Sequence, residues 1–371
     1  DLFNDGTDAV YRGVAGLRGD LGGSWKWDTY FQYGKSESQQ LRIGNLNMEN
    51  FRRAINAVGR PGGQIACAVN ADADAANDDP ACVPLNIFGL GSVSPEAAAY
   101  VQGTSSLLTE ITQKVAAANI SGEPFQLWAG PVGFAAGAEW RSESIVAVAD
   151  ARSEANGWQT GNRKGTRGEI EVKEVYGEVN LPLIADQPWT RALDLNGAIR
   201  YTDYSSSGGV VTWKVGATWE IVDGLLVRGT RSRDIRAGNL GELFTAVSTA
   251  TTSGLRNPVS GESSPALVVT RGNPTLSPEE ADTWTAGVSY SPGWLDGFRF
   301  SVDYYNIQIK GGIGALTPQQ IVDRCFLDQL DQFCALVQTN ASGRITQVET
   351  TQLNLNKFET SGLDFEALYR T

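Results

Sequence analysis

The chain has 371 residues, a formal net charge of −12 and no histidine. The negative charge argues against nucleic acid as a partner, because nucleic acid attracts basic surfaces. Without histidine, Ser-His-Asp catalysis, histidine acid–base chemistry and histidine metal sites are excluded for this chain acting alone. We expect no enzyme activity, no catalytic residues, no metal and no cofactor. No apolar run approaches the about 20 residues that a membrane-spanning helix needs.

Apolar and polar residues alternate with a period of two through most of the chain, which is typical of β-strands. Between Val211 and Ile221, for example, Trp213, Val215 and Trp219 share one side of the predicted strand. In chain order, the alternation predicts twelve strands, over residues 9–20, 24–40, 111–128, 132–149, 168–182, 190–204, 210–221, 225–234, 281–291, 297–310, 345–357 and 361–371. Many reach ten residues, whereas strands in soluble proteins average about 5–6 and a tilted transmembrane strand needs about 9–11.

The connections between these strands fall into two classes. Short connections span 21–23, 129–131, 184–189, 222–224, 292–296 and 359–360, and the others span 41–110, 150–167, 205–209, 235–280 and 311–344, of which all but 205–209 are long. The classes alternate, as in outer-membrane barrels with short periplasmic turns and long extracellular loops. A soluble sandwich or propeller has no reason for this alternation. We therefore predict an all-β fold, namely a transmembrane antiparallel up-and-down β-barrel.

Tryptophans gather near the short connections. Six of the ten lie within a few residues of these turns, namely Trp25, Trp27, Trp128, Trp189, Trp219 and Trp294. They predict an aromatic girdle at one membrane interface. The alternative is that tryptophan flanks turns in any β protein.

The polar sides of the predicted strands would then line a lumen. The charges expected there include Glu169, Glu171, Lys173, Glu174 and Glu178. In a water-filled or plugged barrel such charges are ordinary. They therefore indicate a solvated wall rather than a catalytic carboxylate pair.

Three segments of the long loops have helical signals. Residues 47–58 carry apolar side chains at helical spacing. Ser94 and Pro95 are suited to the N-cap and first position of a helix, and a similar Thr-Pro pair opens a predicted helix over 317–326. The long loops are therefore expected to contain short helices.

The four cysteines form two local pairs, Cys67 with Cys82 and Cys325 with Cys334. Neither pair has the CxxC spacing of zinc or thioredoxin-like sites. Both lie in polar, irregular regions, which favours two disulfides that staple loops in an oxidising compartment. The alternative is four unrelated free thiols.

Six sequence blocks resemble TonB-dependent outer-membrane receptors, in particular a proteobacterial group with cysteine-stapled extracellular loops. The block SRDIRAGNLGELF (Ser232–Phe244) resembles the family's SRDIRAPNLxELF, with Gly238 where the family usually has proline. The other blocks, in the family's order, are CVPLNIFG (Cys82–Gly89), AGPVGFAAGAEWR (Ala129–Arg141), GNPTLSPEEADTWTAGV (Gly272–Val288), GFRFSVDYYNIQIKGGI (Gly297–Ile313) and LNLNKFETSGLDFEALYR (Leu353–Arg370). Glycine frees a backbone that proline would fix, so the rigidity of the first block is in question.

The resemblance implies a barrel of about 22 strands filled by a plug domain. It also implies active import of scarce nutrients across the outer membrane of Gram-negative bacteria. Residues 1–371 would then be a barrel fragment, with the plug, the TonB box and the closing strands outside it. The implied partners are the TonB complex, the protein's own plug, outer-membrane lipid and a small nutrient ligand.

The same resemblance gives a role to the charged end of the strand over 225–234. We expect its charged residues and Asn239 to form a structural lock in the lumen, with contact to the plug or to the ligand as the alternatives. These residues are Arg231, Arg233, Asp234, Arg236, Asn239 and Glu242.

The same residues bear on the alternative functions and on the substrate. A plug-free diffusion porin is the alternative to active transport, but it does not predict the family blocks. Family members with these blocks are often linked to carbohydrates or plant-derived nutrients, so we favour an oligosaccharide over a ferric siderophore. The loop over 41–110 has few basic residues for an anionic chelate. Trp158 and Tyr100 are candidate sugar platforms, with packing inside the loops as the alternative.

Overall fold

The computed structural model describes residues 2–355 and 357–370 and consists mainly of β-strands. In chain order the strands are β1 (Phe3–Gly22), β2 (Trp25–Leu46), β3 (Ala57–Gly59), β4 (Ile65–Cys67), β5 (Gln102–Gly122), β6 (Gln126–Leu127), β7 (Gly130–Pro131), β8 (Gly133–Ala149), β9 (Thr166–Gln187), β10 (Thr190–Tyr204), β11 (Gly208–Val222), β12 (Leu225–Arg236), β13 (Ser248–Arg256), β14 (Ser263–Arg271), β15 (Glu279–Tyr290), β16 (Phe298–Lys310), β17 (Ile313–Gly314), β18 (Val337–Thr339), β19 (Ile345–Thr351), β20 (Leu353–Asn354) and β21 (Phe358–Tyr369).

The helices are short and lie in the long connections. They are α1 (Met48–Ile55), α2 (Pro95–Val101), α3 (Ala151–Glu154), α4 (Leu240–Phe244), α5 (Pro318–Phe326) and α6 (Asp331–Cys334), with one 3₁₀ turn over Ala68–Asn70. Ser94 and Thr317 cap α2 and α5 as the sequence predicts, and Asn47 caps α1. Within the described residues, no helix is both long and apolar enough to cross a membrane.

Eleven strands form one antiparallel sheet. Their order is β1-β2-β5-β8-β9-β10-β11-β12-β15-β16-β21, so each strand pairs with the next large strand along the chain. Short connections close one edge of this main sheet, and the long loops, together with the brief 205–207 turn, leave from the other edge. The all-β, up-and-down prediction is confirmed.

The prediction that 345–357, the eleventh predicted strand, belongs to the barrel wall is wrong. Its first part, β19, belongs to a separate four-stranded sheet, where it pairs in parallel with β14. The last strand of the main sheet begins at Phe358 and pairs directly with β16, so the tight turn predicted at 359–360 lies inside β21. Alternation identified β19 correctly as a strand, but it cannot tell which sheet a strand joins.

The long loops 237–278 and 311–357 build a small domain of their own, here named the loop module. It contains β13, β14, β18, β19, α5 and α6. Its core is apolar and closed, since Val322 and Val348 are fully buried and Ile321 is only 1% exposed. The cysteines of its disulfide, Cys325 and Cys334, belong to or pack against this core. The sequence did not predict β13 and β14, which lie in what was expected to be an irregular loop.

The main sheet has one polar and one apolar face. On β10 the polar face carries Asp194, Asn196, Arg200, Thr202 and Tyr204. The apolar face of the same strand carries Leu193, Leu195, Ile199 and Tyr201. The pairing register continues both faces across neighbouring strands, because directly paired residues point to the same side of a sheet. This two-sided pattern is what a barrel with a polar lumen requires.

The register corrects one expectation about the lumen. Glu174 and Glu178 lie on the polar face, opposite Thr202 and Ala198 of β10. The other three charges expected there, Glu169, Glu171 and Lys173, have odd numbers on the same strand and lie on the other face near its loop end. The reason is the strand's period of two, which places adjacent charges on opposite sides.

Both predicted disulfides are present, Cys67–Cys82 with an S–S distance of 2.06 Å and Cys325–Cys334. The first cross-link joins β4 to the irregular segment before α2. It therefore restrains a loop that is otherwise held by a few short elements.

Replacing Cys67 and Cys82 together by alanine should loosen the 47–101 loop and leave the main sheet intact. A cross-link between residues 15 apart restricts the unfolded loop by about 3 kcal/mol in the chain-entropy model. We expect faster protease cleavage between residues 57 and 93, measured by mass spectrometry of the cleaved peptides. In the matched Cys325/Cys334 double variant, faster cleavage should be confined to 311–357. In the unaltered protein, disulfide-linked peptides that join Cys67 or Cys82 to Cys325 or Cys334 would contradict the pairing.

Candidate functional site

The charged stretch at the end of β12 forms an ion-pair network at the loop edge of the main sheet. Two nitrogens of the Arg236 guanidinium lie 2.8 and 2.7 Å from the two carboxylate oxygens of Glu279. A third nitrogen lies 3.0 Å from a carboxylate oxygen of Glu242. Glu279 also accepts a 2.6 Å hydrogen bond from the backbone N–H of Ile313. The three charged residues, here named the mouth cluster, join β12, α4, β15 and the start of the next loop.

Glu242 also completes the N-terminus of α4. The side chain of Asn239 accepts a 2.9 Å hydrogen bond from the N–H of Glu242, and the Glu242 carboxylate accepts a 2.8 Å hydrogen bond from the N–H of Asn239. This reciprocal arrangement is a capping box, which satisfies two N–H groups that a helix start leaves free. The same carboxylate therefore caps the helix and binds the arginine.

Helix α4 packs on the polar face of β9 near the loop edge. Leu240, Leu243 and Leu276 form a buried cluster with Ile170 and Val172. These two β9 residues are apolar although they share the face of Glu174 and Glu178. The helix therefore covers an apolar spot at the entrance of the expected lumen.

Gly168 permits the close approach of α4. A Cβ at this position would overlap the ring of Phe244 at the end of the helix. We expect Gly168→Ala to displace α4 and cost about 1–3 kcal/mol, as overpacking of a tight contact does. Protease cleavage of the 237–278 loop in the folded protein would measure the displacement. Phe244→Ala in the same chain should reverse much of the effect, and cleavage that is unchanged in Gly168→Ala would contradict the contact.

A cavity of about 320 Å³ opens on the polar face of β9 to β12. Its polar lining comprises Glu174, Tyr176, Glu178, Arg200, Thr202, Tyr204, Thr212, Lys214, Arg233 and Asp234. Arg200 lies 3.0 Å from the Glu174 carboxylate and 5.2 Å from the centre of the Tyr176 ring. The wall therefore offers carboxylates, cations and phenols within one concave surface.

The predicted charge cluster is divided between the two faces of the sheet. Asp234 and Arg236 have even numbers on β12 and share the polar face with Arg228. Arg231 and Arg233 have odd numbers and lie on the apolar face, where they approach Asp282 of β15. The expectation that all these residues face the lumen is wrong for the two odd-numbered arginines, again because of the strand's period of two.

The two aromatic candidates lie in different settings of the loops. Trp158 is 7% exposed, and its indole N–H donates a 2.9 Å hydrogen bond to Asp150. The guanidinium of Arg152 lies 5.5 Å from its ring centre. Burial acts to raise the pKa of Asp150, but hydrogen bonds from Ser153, the Ser106 amide and Trp158 lower it to about 2. Trp158 is thus packed inside its loop.

Tyr100 is half-buried and belongs to a second network. Its hydroxyl donates a 2.6 Å hydrogen bond to Asp79, which also accepts a 3.0 Å bond from Arg53. Burial, followed by the bond to the Asp79 carboxylate, raises the pKa of Tyr100 to about 12. The hydroxyl is therefore engaged in holding α2 to the disulfide segment.

Sequence reasoning missed the acidic partners of the charged stretch. Glu279 and Asp282 lie within the GNPTLSPEEADTWTAGV block, but nothing in the sequence linked them to Arg236 or Arg233. The available signal was that basic residues end the predicted strand over 225–234 while acidic residues begin the next predicted strand over 281–291, and opposite charges on neighbouring strands attract each other. Among residues 2–355 and 357–370, no three His, Cys, Asp or Glu side chains form a group suited to a metal ion.

The long antiparallel strands, the two-faced sheet and the alternating connections define a wall of an outer-membrane type barrel. A family model described as "TonB dependent receptor-like, beta-barrel" matches residues 2–370. The chain therefore belongs to the TonB-dependent receptor family and forms part of its barrel. The strands cross the outer membrane of a Gram-negative bacterium, with the apolar face toward lipid. Receptors and transporters, rather than enzymes, make up this family and fold.

Solved structures with the same fold carry different ligand names. A mutant of the ferric enterobactin receptor PfeA of Pseudomonas aeruginosa matches with a TM-score of 0.57 and 15% identity, over 97% of this chain and 41% of that one. The siderophore receptor PirA of Acinetobacter baumannii matches with a TM-score of 0.54 and 18% identity, over 97% of this chain and 42% of that one. The RagAB peptide importer matches with a TM-score of 0.51 and 10% identity, over 99% of this chain and 34% of that one. This chain thus spans about two fifths of the length of the two siderophore receptors, and the likeness shows the fold alone.

Proposed function

We propose that this chain is the central part of the barrel of a receptor that imports a scarce nutrient with energy from TonB. The observation that carries the proposal is the match of the receptor barrel family to residues 2–370. The eleven-stranded antiparallel wall with one polar and one apolar face supports it, since such a wall suits a membrane barrel with a polar lumen. A plug domain, a TonB box and the remaining strands would lie elsewhere in the whole protein.

The mouth cluster is proposed as a structural lock of this receptor. Arg236 and Glu242 hold α4 over the wall, and Asn239 caps the same helix. Asp234 faces the cavity and is proposed to meet the plug or the passing ligand. Arg231 and Arg233 lie on the opposite face, so lumenal contact is not proposed for them.

We further propose an oligosaccharide or plant-derived ligand in preference to a ferric siderophore. The cavity wall carries three carboxylates, three cations and two tyrosines, so it has no excess of positive charge. An anionic chelate favours a basic surface. A neutral sugar can instead use carboxylates as acceptors and tyrosines as both acceptors and apolar platforms.

Uptake by the full-length protein tests both proposals. The receptor would be expressed in cells with and without TonB and offered a panel of oligosaccharides and ferric siderophores. We expect oligosaccharide uptake that requires TonB. Uptake that persists unchanged without TonB would refute active import and favour a diffusion porin. TonB-dependent uptake restricted to ferric siderophores would refute only the choice of substrate.

A further inference from the structure

A long recess on the polar face of the main sheet runs from the loop edge toward the short-turn edge. The cavity of about 320 Å³ described above extends toward the loops as far as Tyr204. A second cavity of about 390 Å³ adjoins it on the same face and extends in the other direction to Asn196. Glu178, Ala198 and Lys214 line both cavities. Together the two cavities form one recess over β9, β10 and β11, here named the track.

The track is long enough to cross most of a membrane. From Asn196 to Tyr204 of β10 there are eight residue steps, which is about 27 Å at the rise of an antiparallel strand. With a strand tilt of about 40°, this length covers about 20 Å of depth, compared with an apolar band about 25 Å tall. A ligand that filled the track would therefore lie along the wall and not only at the mouth of the barrel.

The centre of the track holds two opposite charges on either side of a small residue. Glu178, Ala198 and Lys214 lie side by side in one register row of β9, β10 and β11. Neighbouring strands are about 4.8 Å apart, so the backbones that carry the two charges are about 10 Å apart. Glu178 and Lys214 have no ion-pair partner among residues 2–355 and 357–370, whereas Glu174 on the same wall pairs with Arg200 at 3.0 Å. The small side chain of Ala198 leaves the space between the two charges open.

The polar groups on the first strands of the wall bind one another instead. Arg12 donates a 2.6 Å hydrogen bond to Gln32, and Gln32 donates a 2.8 Å hydrogen bond to Gln113. Gln113 in turn donates a 2.8 Å hydrogen bond to Glu143. These side chains share the polar face across β1, β2, β5 and β8. A ligand that bound there would have to replace bonds already made within the protein, so the free groups of the track offer the better binding surface.

The free groups of the track suit a neutral chain that carries many hydroxyl groups. The carboxylate of Glu178 accepts hydrogen bonds from hydroxyls, the ammonium of Lys214 donates to their oxygens, and the amides of Asn180 and Asn196 do both. An anion would be repelled by Glu178 and a cation by Lys214, because the two charges lie in the same row. Side chains of one face recur about every 7 Å along a strand, so a chain of similar units meets polar groups at each step.

We propose that the track is an extended binding site for an oligosaccharide chain on its way through the barrel. The inference rests on the proposed function and adds where in the barrel the ligand is held and which groups hold it. Glu178 and Lys214 bind hydroxyl groups at the centre of the track, and Ala198 leaves room for a sugar ring between them. Affinity then depends on chain length, because only a long chain fills both cavities.

Binding of short and long chains to the purified full-length receptor tests the proposal. The probes are xylotriose, xylohexaose, maltotriose and maltohexaose, with hexaglycine as a peptide probe, and isothermal titration calorimetry gives the affinities. In at least one sugar series, we expect the hexasaccharide to bind at least about tenfold more tightly than the trisaccharide, because it makes more hydrogen bonds. Ala198→Trp fills the centre of the track. It should abolish this chain-length gain and change the trisaccharide affinity by less than about twofold.

Two further variants separate a blocked track from a misfolded barrel. Glu178→Gln combined with Lys214→Gln removes both charges without adding bulk. It should lower hexasaccharide affinity about tenfold, since hydrogen bonds of charged groups are about twice as strong as those of neutral groups. Thr283→Trp is the matched control, because Thr283 lies in the same register row on β15 but lines neither cavity. The control should keep the chain-length gain, and heat-dependent gel mobility would confirm that each barrel is folded.

Four results would overturn the proposal: no binding of any of the four saccharides, equal affinity of trisaccharides and hexasaccharides for the unaltered receptor, unchanged hexasaccharide affinity in the folded track variants, or an equal loss in Thr283→Trp. Tighter binding of hexaglycine than of either hexasaccharide would assign the track to peptides and would also overturn it. These measurements do not involve TonB. Uptake that persists without TonB would therefore refute the import proposed above and leave the track standing.

Discussion

Arg236→Ala should release helix α4 from the loop edge of the main sheet. The guanidinium is the shared partner of Glu242 and Glu279, whose side chains are 17% and 16% exposed. Its loss leaves two nearly buried carboxylates facing each other without a counter-charge. Because Arg236 itself is 45% exposed, solvent screens part of the effect, and we expect a cost of about 2 kcal/mol to the docking of α4. That corresponds to about a thirtyfold rise in the population of undocked loop.

Limited proteolysis of the folded full-length receptor would measure this population. Cleavage within residues 237–278 should accelerate strongly, while the transmembrane strands stay protected. Arg228→Ala is the matched control. Arg228 also makes a bidentate ion pair, at 2.8 and 2.6 Å from the two carboxylate oxygens of Asp303, but this pair lies within the main sheet. If both variants accelerate loop cleavage equally, or if neither does, the lock assigned to the mouth cluster is refuted.

Val322→Asp should unfold the loop module and spare the barrel. Val322 is fully buried in the module's core, next to Ile321 and Val348. A carboxylate placed among these apolar side chains either remains charged in an apolar site or takes up a proton. We expect a loss of about 4 kcal/mol from the module, which is large for a single substitution.

The module and the barrel can be followed separately. Cleavage in both 237–278 and 311–357 should increase together, because the two loops share one core. Heat-dependent gel mobility, which reports the closed barrel, should not change. Val259→Asp is the matched control, since Val259 is 70% exposed in the turn between β13 and β14. Loss of the folded barrel in Val322→Asp, or cleavage confined to one loop, would show that the module is not a separate unit.

The strands of the barrel could be predicted from the sequence because each strand contacts lipid on one side and a polar lumen on the other. Lipid on one side and a polar lumen on the other enforce alternation along every crossing, and the pattern is visible without any knowledge of neighbours. Ten of the twelve predicted strands correspond to the first ten strands of the main sheet, and the prediction over 361–371 falls within β21. The helix caps at Ser94 and Thr317 were readable for a similar reason, since a cap is a local arrangement.

The strand over 345–357 shows where local patterns fail. Its first part is a strand, as its alternation indicates, but its buried Ile345 and Val348 belong to the core of the loop module. Membership in a sheet depends on which distant segment supplies the other half of the hydrogen bonds. Here one partner is β14, 80 residues earlier, and it pairs in parallel.

The charged stretch at the end of β12 was recognised from its composition, while its contacts were decided by tertiary structure. Sequence alone determined that this is a β-barrel chain with stapled loops and a charged strand end, because period, turn lengths and cysteine spacing are local quantities. Only the pairing of β12 with β15 placed Arg236 against Glu279 in the lumen and Arg231 and Arg233 against Asp282 on the lipid side. The physical reason is that a strand separates neighbouring residues to opposite faces, and register with a distant strand then selects their partners.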